Sequence, residues 1–218
     1  MHFPRLYVII DAALVGCSEL RFARLLAGAG VELAQYRNKA ASSRTLYDSA
    51  LSLGQFFRSQ SVRFLVNDRA DVAALAGAAG VHVGEEDLGV EQARAVVGAS
   101  CWVGVSTHNL AQFQRAVDSS ADYVAVGPVF STSSKAHPDP VVGLEFIRQA
   151  RALCATRAPL ARKPVVAIGG ITPERAAAAI DAGADSVAVL SGICAAPDPA
   201  AQVKRYLQCL SEGRSTPS

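Results

Sequence analysis

The sequence predicts an α/β fold, a single closed (β/α)₈ TIM barrel, and three observations carry that expectation. First, short β-branched runs alternate with helix-forming segments eight times in about 210 residues, which suits a barrel. Second, a small-residue lead-in recurs before four of the runs: Ala29-Gly30-Val31, Ala79-Gly80-Val81, Ala121-Asp122-Tyr123 and Ala184-Asp185-Ser186. Glycine fits the left-handed cap that ends a helix, and the run after it reads as a strand buried on both faces. Third, the first strand ends in Asp11-Ala12-Ala13, with none of the glycine fingerprint that follows the first strand of a nucleotide-binding open sheet.

In chain order, the apolar run Leu6–Ile10 is the first strand, and Leu20–Ala27 is a helix with apolar residues three and four apart. The same two patterns then alternate. Val31–Tyr36 precedes a helix at Thr45–Arg58, and Arg63–Val66 precedes one at Ala70–Ala76. Gly80–Val83 leads to Val90–Val97, and Cys101–Val105 to Leu110–Val117. Ala121–Val126 leads, after a long irregular stretch from Gly127 to Gly143, to a helix at Leu144–Leu153. Pro164–Ile168 leads to Pro173–Ala182, where Thr172 is a capping hydroxyl and Pro173 sits at the first helical position. Asp185–Leu190 is the eighth strand, and Pro199–Leu210 a final amphipathic helix. No composition break marks a second domain, so residues 1–211 are expected to form one domain and 212–218 a flexible tail.

Composition narrows the function. Half of the 218 residues are hydrophobic and the formal charge is only +2, too weak a balance to imply nucleic acid or an anionic membrane. Five cysteines, at 17, 101, 154, 194 and 209, form no CxxC, so reduced thiols in a cytoplasmic protein are the simpler expectation. No apolar run approaches the ~20 residues that span a bilayer. Leu14-Val15-Gly16-Cys17 looks like a lipoprotein cleavage box, but Asp11 splits the apolar region before it. Self-association into a homo-oligomer is left open.

In a barrel the chemistry sits where strands end. Read there, the sequence offers Asp11, then Gln35, Arg37 and Lys39, then Asn67 and Asp68, then Glu85, Glu86 and Asp87. Ser106 and His108 follow, then Thr132, Ser134 and Lys135, Gly169-Gly170, and Ser191-Gly192. Singly, each is an ordinary loop or surface residue, and His82, between Val81 and Val83, is expected to be buried rather than a ligand. Their coincidence at one end of consecutive strands is what points to a site. Asp68 and Asp87 are hard oxygen donors suited to Mg²⁺, which completes its shell with water and phosphate. Arg37, Lys39 and Lys135 exceed what those two carboxylates need, an excess that implies an anion such as a diphosphate. Gly169-Gly170 before the Thr-Pro helix start is a candidate second phosphate cradle.

The motifs Gln35-Tyr36-Arg37-Asn38-Lys39, Val66-Asn67-Asp68, Gly80 to Asp87, Gly104 to His108 and Gly127 to Lys135 together resemble those of the thiamine-phosphate synthase family. Val166 to Ile171 and Val189-Leu190-Ser191 complete the set, in order, along nearly the whole chain. The resemblance implies a Mg²⁺-dependent transferase that joins a hydroxymethylpyrimidine diphosphate to a thiazole phosphate and releases diphosphate. It places the pyrimidine diphosphate on the Gln35–Lys39 segment (Gln35, Tyr36, Arg37, Asn38, Lys39), Asn67, Ser106 and Lys135. It places Mg²⁺ on Asp68 and Asp87, and the thiazole phosphate on Thr132, Ser133, Ser134, Gly170, Leu190 and Ser191. Arg37, Lys39 and Lys135 would stabilise the leaving group. Tyr36 replaces the family's commoner Leu, Glu85 its Gln, and Ser134 its second Thr; Glu85 adds negative charge beside the diphosphate. A thiazole tautomerase on the same barrel, with His108 shuttling the proton, and a non-catalytic barrel that binds a phosphorylated ligand are the alternatives.

Overall fold

The computed structural model describes residues 3–132, 139–156 and 162–212. Its parallel strands close in chain order into an eight-stranded barrel: β1 (Leu6–Asp11), β2 (Leu33–Arg37), β3 (Arg63–Asn67), β4 (Gly80–Val83), β5 (Trp102–Thr107), β6 (Tyr123–Val126), β7 (Val165–Ile168) and β8 (Ser186–Val189). The helices outside it are α1 (Glu19–Gly28), α2 (Ser43–Ser59), α3 (Ala70–Leu75), α4 (Val90–Val97), α5 (Leu110–Asp118), α6 (Gly143–Ala155), α7 (Pro173–Asp181), the short α8 (Ser191–Cys194) and α9 (Pro199–Glu212). Every element expected from sequence is present, with ends displaced by no more than two residues. Only α8 is new. Its four residues are too few to show a helical period.

Closure is made by β1 and β8, with Leu6, Tyr7 and Val8 opposite Val187, Ala188 and Val189. Val187 N–H also donates to Arg5 O at 2.9 Å, and Arg5 Nη1 to Leu210 O at 2.8 Å, which ties the last helix to the first strand.

Strand alternation sorts side chains into two cores. Ala34, Tyr36 and Val66 belong to the outer core beneath the helices, where Phe57 and Phe64 stack at 5.5 Å. Leu33 and Leu65 point into the barrel, which is filled by side chains rather than open. Phe3 stacks on Trp102 at 5.2 Å, and the Arg63 guanidinium lies 3.7 Å over the Trp102 ring, so aromatics seal the end opposite the site. The recurrent Ala-Asp before two strands has a structural reason. Asp122 accepts from Val103 N–H and pairs with Arg94, and Asp185 accepts from Val165 N–H and pairs with Arg151, a helix-to-strand clamp used twice.

At one interior position glycine makes room for an aromatic ring. Gly104 lies level with His82 on β4 and Tyr123 on β6, and a Cβ there would sit 2.0 Å from Tyr123 Cζ. The absent side chain lets the Tyr123 ring lean across β5. Gly104→Ala is therefore expected to lose about 2–3 kcal/mol by overpacking. That would show as a melting temperature lower by about 5–10 °C.

Candidate active site

The strand ends bring together Asp11, Arg37, Asn67, Asp68, Asp87 and Ser106, all partly or wholly covered at one mouth of the barrel. Arg37 closes β2 and forms an ion pair with Asp11, the residue opposite it on β1. Asp11 is 5 % exposed and also accepts from Ala13 N–H at 3.0 Å, so the guanidinium is anchored on one side by a buried carboxylate. Lys39 Nζ lies 2.7 Å from Asp68 Oδ2. Asp68 sits at φ 64°, a left-handed conformation that Asp tolerates better than most residues. It follows Asn67 without capping α3, whose N-cap is Arg69.

Asp87 Oδ2 accepts from Gly84 N–H at 2.7 Å. Burial raises the Asp87 carboxyl above the usual range; the Gly84 N–H bond draws it back in part, the neighbouring Asp68 raises it, and Lys39 has the smallest, lowering effect. A partly buried carboxylate with a second one beside it suits a divalent cation. Among the described residues no cluster of three or more acidic, His or Cys ligands forms. A two-carboxylate site would therefore leave most of the shell to water and phosphate oxygens.

The charge balance read from sequence needs correcting. Arg37 and Lys39 are each already paired with a carboxylate, and Asp11 was not counted. Arg37 and Lys39 therefore carry no excess over the carboxylates beside them, and a divalent ion would add the positive charge that a diphosphate needs. Lys135, Ser133 and Ser134 lie outside the described residues.

Beneath the mouth, Gln35 is buried and its Nε2 donates to Tyr7 Oη at 2.8 Å. Ser106 Oγ is 2.9 Å from His82 Nε2. His82 is buried, as expected, and burial pushes its imidazole down to about 4 despite a weaker upward pull from Asp87. Burial likewise pushes the Tyr7 and Tyr123 hydroxyls up. All three side chains are neutral near pH 7. Tyr36 goes the other way: its side chain lies in the outer core and its hydroxyl donates to Glu19 Oε1 at 3.1 Å. Asn38 Nδ2 donates to that same hydroxyl at 3.2 Å. The Tyr36 side chain therefore points away from the barrel interior, and Asn38 is bonded to it.

On the far side, Val129 N–H and Phe130 N–H donate to Ile168 O and Gly169 O, which zips the segment before Thr132 onto the end of β7. Gly170 adopts φ 63°, and a Cβ on it would lie 2.3 Å from Ser131 O. Only glycine lets the two backbones meet, so Thr132 and Gly170 are neighbours. The expected cap differs in detail. Thr172 is the N-cap of α7 but its side chain makes no cap hydrogen bond. The Glu174 carboxyl is held below its usual range by its own backbone N–H, and then by the Thr172 hydroxyl. Arg175, unnoticed in sequence because it reads as a solvated helix residue, donates to Gly170 O at 3.0 Å and lies 4.9 Å from the Phe130 ring centre. Leu190 and Ser191 follow β8, where Leu190 O accepts from Cys194 N–H.

A family profile described as thiamine monophosphate synthase matches residues 6–193. The chain is 46% identical to the thiamine-phosphate synthase of Koribacter versatilis over 96% of its own length and 97% of that protein. It is 40% identical to that of Chloroflexus aurantiacus, covering 95% and 93% of the two chains. The solved structure of thiamine phosphate pyrophosphorylase from Pyrococcus furiosus superposes with a TM-score of 0.85 at 31% identity, over 97% of both chains.

Proposed function

The chain belongs to the thiamine monophosphate synthase family, and from that premise we propose how its mouth carries out the coupling. It is a transferase of thiamine phosphate synthesis. The substrates are a hydroxymethylpyrimidine diphosphate and a thiazole phosphate. The bond between the pyrimidine methylene and its diphosphate oxygen breaks, with the electron pair leaving on oxygen. The thiazole nitrogen lone pair then forms the new C–N bond, giving thiamine phosphate and diphosphate. No proton need move and no protein nucleophile is required.

Gln35, Asn67 and Ser106 orient the pyrimidine, while Arg37, Lys39 and Lys135 meet charge as it gathers on the leaving group. Thr132, Ser133, Ser134, Gly170, Leu190 and Ser191 hold the thiazole phosphate. Asp68 and Asp87 hold Mg²⁺, which when bound offsets negative charge on the diphosphate. The observation that carries this reading is that carboxylate pair: partly buried, side by side, with Asp87 raised first by burial and also by Asp68, and beside Lys39 at the mouth. The free cysteines fit a reducing cytoplasm. Among the described residues no helix is long and apolar enough to cross a membrane.

The direct test supplies both substrates with Mg²⁺ and oxidises the product to fluorescent thiochrome. No thiochrome would overturn the reading. His108 separates it from an isomerase. Its Nδ1 donates to Gly127 O at 2.6 Å and lies 3.6 Å from Asp139 Oδ2, so the ring is tethered beside the mouth. Coupling is expected to survive His108→Ala largely intact, whereas loss of a general acid–base would cost about 10²–10⁴-fold.

A further inference from the structure

Five polar side chains cross the barrel beneath the mouth in one unbranched line. Gln35 Nε2 is 2.8 Å from Tyr7 Oη, which is 3.0 Å from Tyr123 Oη. Tyr123 Oη is 2.9 Å from His82 Nδ1, and His82 Nε2 is 2.9 Å from Ser106 Oγ. The reaction above uses only the two ends. Tyr7, Tyr123 and His82 are the buried middle, and Gly104 is the gap that lets Tyr123 span from one strand to the next but one.

Counting protons fixes the direction of the line. An amide nitrogen only donates, so Tyr7 Oη accepts from Gln35. The single Tyr7 proton then goes to its other polar neighbour, Tyr123 Oη. Tyr123 in turn has one partner left for its own proton, His82 Nδ1. With Nδ1 accepting, the imidazole carries its proton on Nε2 and donates to Ser106 Oγ. Ser106 thus accepts from below and keeps its own proton for the mouth. Turning over the Gln35 amide would reverse every bond and make Ser106 an acceptor instead.

We infer that this line is a polarity lock, in which Tyr7, Tyr123 and His82 are positioning residues that hold Ser106 as a hydrogen-bond donor toward an acceptor atom of the bound pyrimidine diphosphate. The identity of that ligand rests on the function proposed above; the direction of the line does not. A neutral line buries no charge, and it presents the donor already oriented, with no rearrangement left for the moment of reaction.

Two measurements test it. Nitrogen NMR of the histidine-labelled, ligand-free protein is expected to show His82 neutral, protonated on Nε2 and bare on Nδ1. In Tyr123→Phe, which keeps the ring but removes the donor to Nδ1, that preference should be lost. A native His82 protonated on Nδ1, or on both nitrogens, would overturn the lock. In the coupling assay Tyr123→Phe and Ser106→Ala should each lower kcat/KM roughly tenfold, the effect of one hydrogen bond. The double variant should be no worse than Ser106→Ala alone, because Tyr123 acts only through Ser106. Multiplying losses, or none in Tyr123→Phe, would also overturn it. A native protein that couples nothing would overturn the functional reading alone, and the nitrogen spectrum would still decide for or against the lock.

Discussion

Replacing Asp87 with Asn is expected to lower coupling about a hundredfold or more, the scale of losing several kcal/mol of metal-assisted charge stabilisation. The reason lies in the charges at the mouth. Arg37 and Lys39 are held by Asp11 and Asp68, and Asp87 adds a carboxylate beside them, so a divalent ion there would supply positive charge that these two cations do not. Asp87→Asn should therefore raise both the Mg²⁺ needed for half activity and the KM for the pyrimidine diphosphate. Stability should not suffer. The Asn oxygen can still accept from Gly84 N–H, now at 2.7 Å from Asp87 Oδ2, and one of two mutually repelling charges is gone. A melting temperature in chelator at or above that of the native chain is the expected control. Native activity of the variant in chelator would remove the metal from Asp87.

Arg37→Ala should fail in two separable ways. Asp11, 5 % exposed, would lose its ion-pair partner and keep only Ala13 N–H. Stranding a buried carboxylate costs about 3 kcal/mol or more. For a chain of this size that lowers the melting temperature by roughly 6–12 °C. Coupling should also fall about 10²–10³-fold, as when a preorganised charge donor is removed. Adding Asp11→Asn removes the stranded charge, so the double variant should regain most of its melting temperature and none of its activity. Activity that returned with stability would place Arg37 outside the substrate contacts.

Strands and helices were legible because apolar period and small-residue punctuation are local signals. Gly30 before Val31 and Pro173 after Thr172 need no knowledge of the fold. The partnership of Asp11 with Arg37 depends on the register of β1 against β2, and hydropathy says nothing about register. The pairing of Arg37 with a third carboxylate was out of reach for that reason. The same holds for Gly104, which reads as a weak spot in a strand until His82 and Tyr123 are seen level with it on either side. Tyr36 was lost differently. The resemblance covers the run Gln35 to Lys39 as a block, whereas strand alternation turns Gln35 inward and Tyr36 outward. Alternation, applied to the block, would have separated them.

The seam between β1 and β8 has a consequence for synthesis. The first strand leaves the ribosome well before its closing partner, Ser186–Val189, which is made after every other strand of the barrel. Until then β1 has only β2 beside it, and a nascent chain carries two open parallel edges with unsatisfied amides. A product truncated before Ser186 would keep both edges for good. It should be recovered as aggregate, or bound to chaperones, rather than as a shortened enzyme.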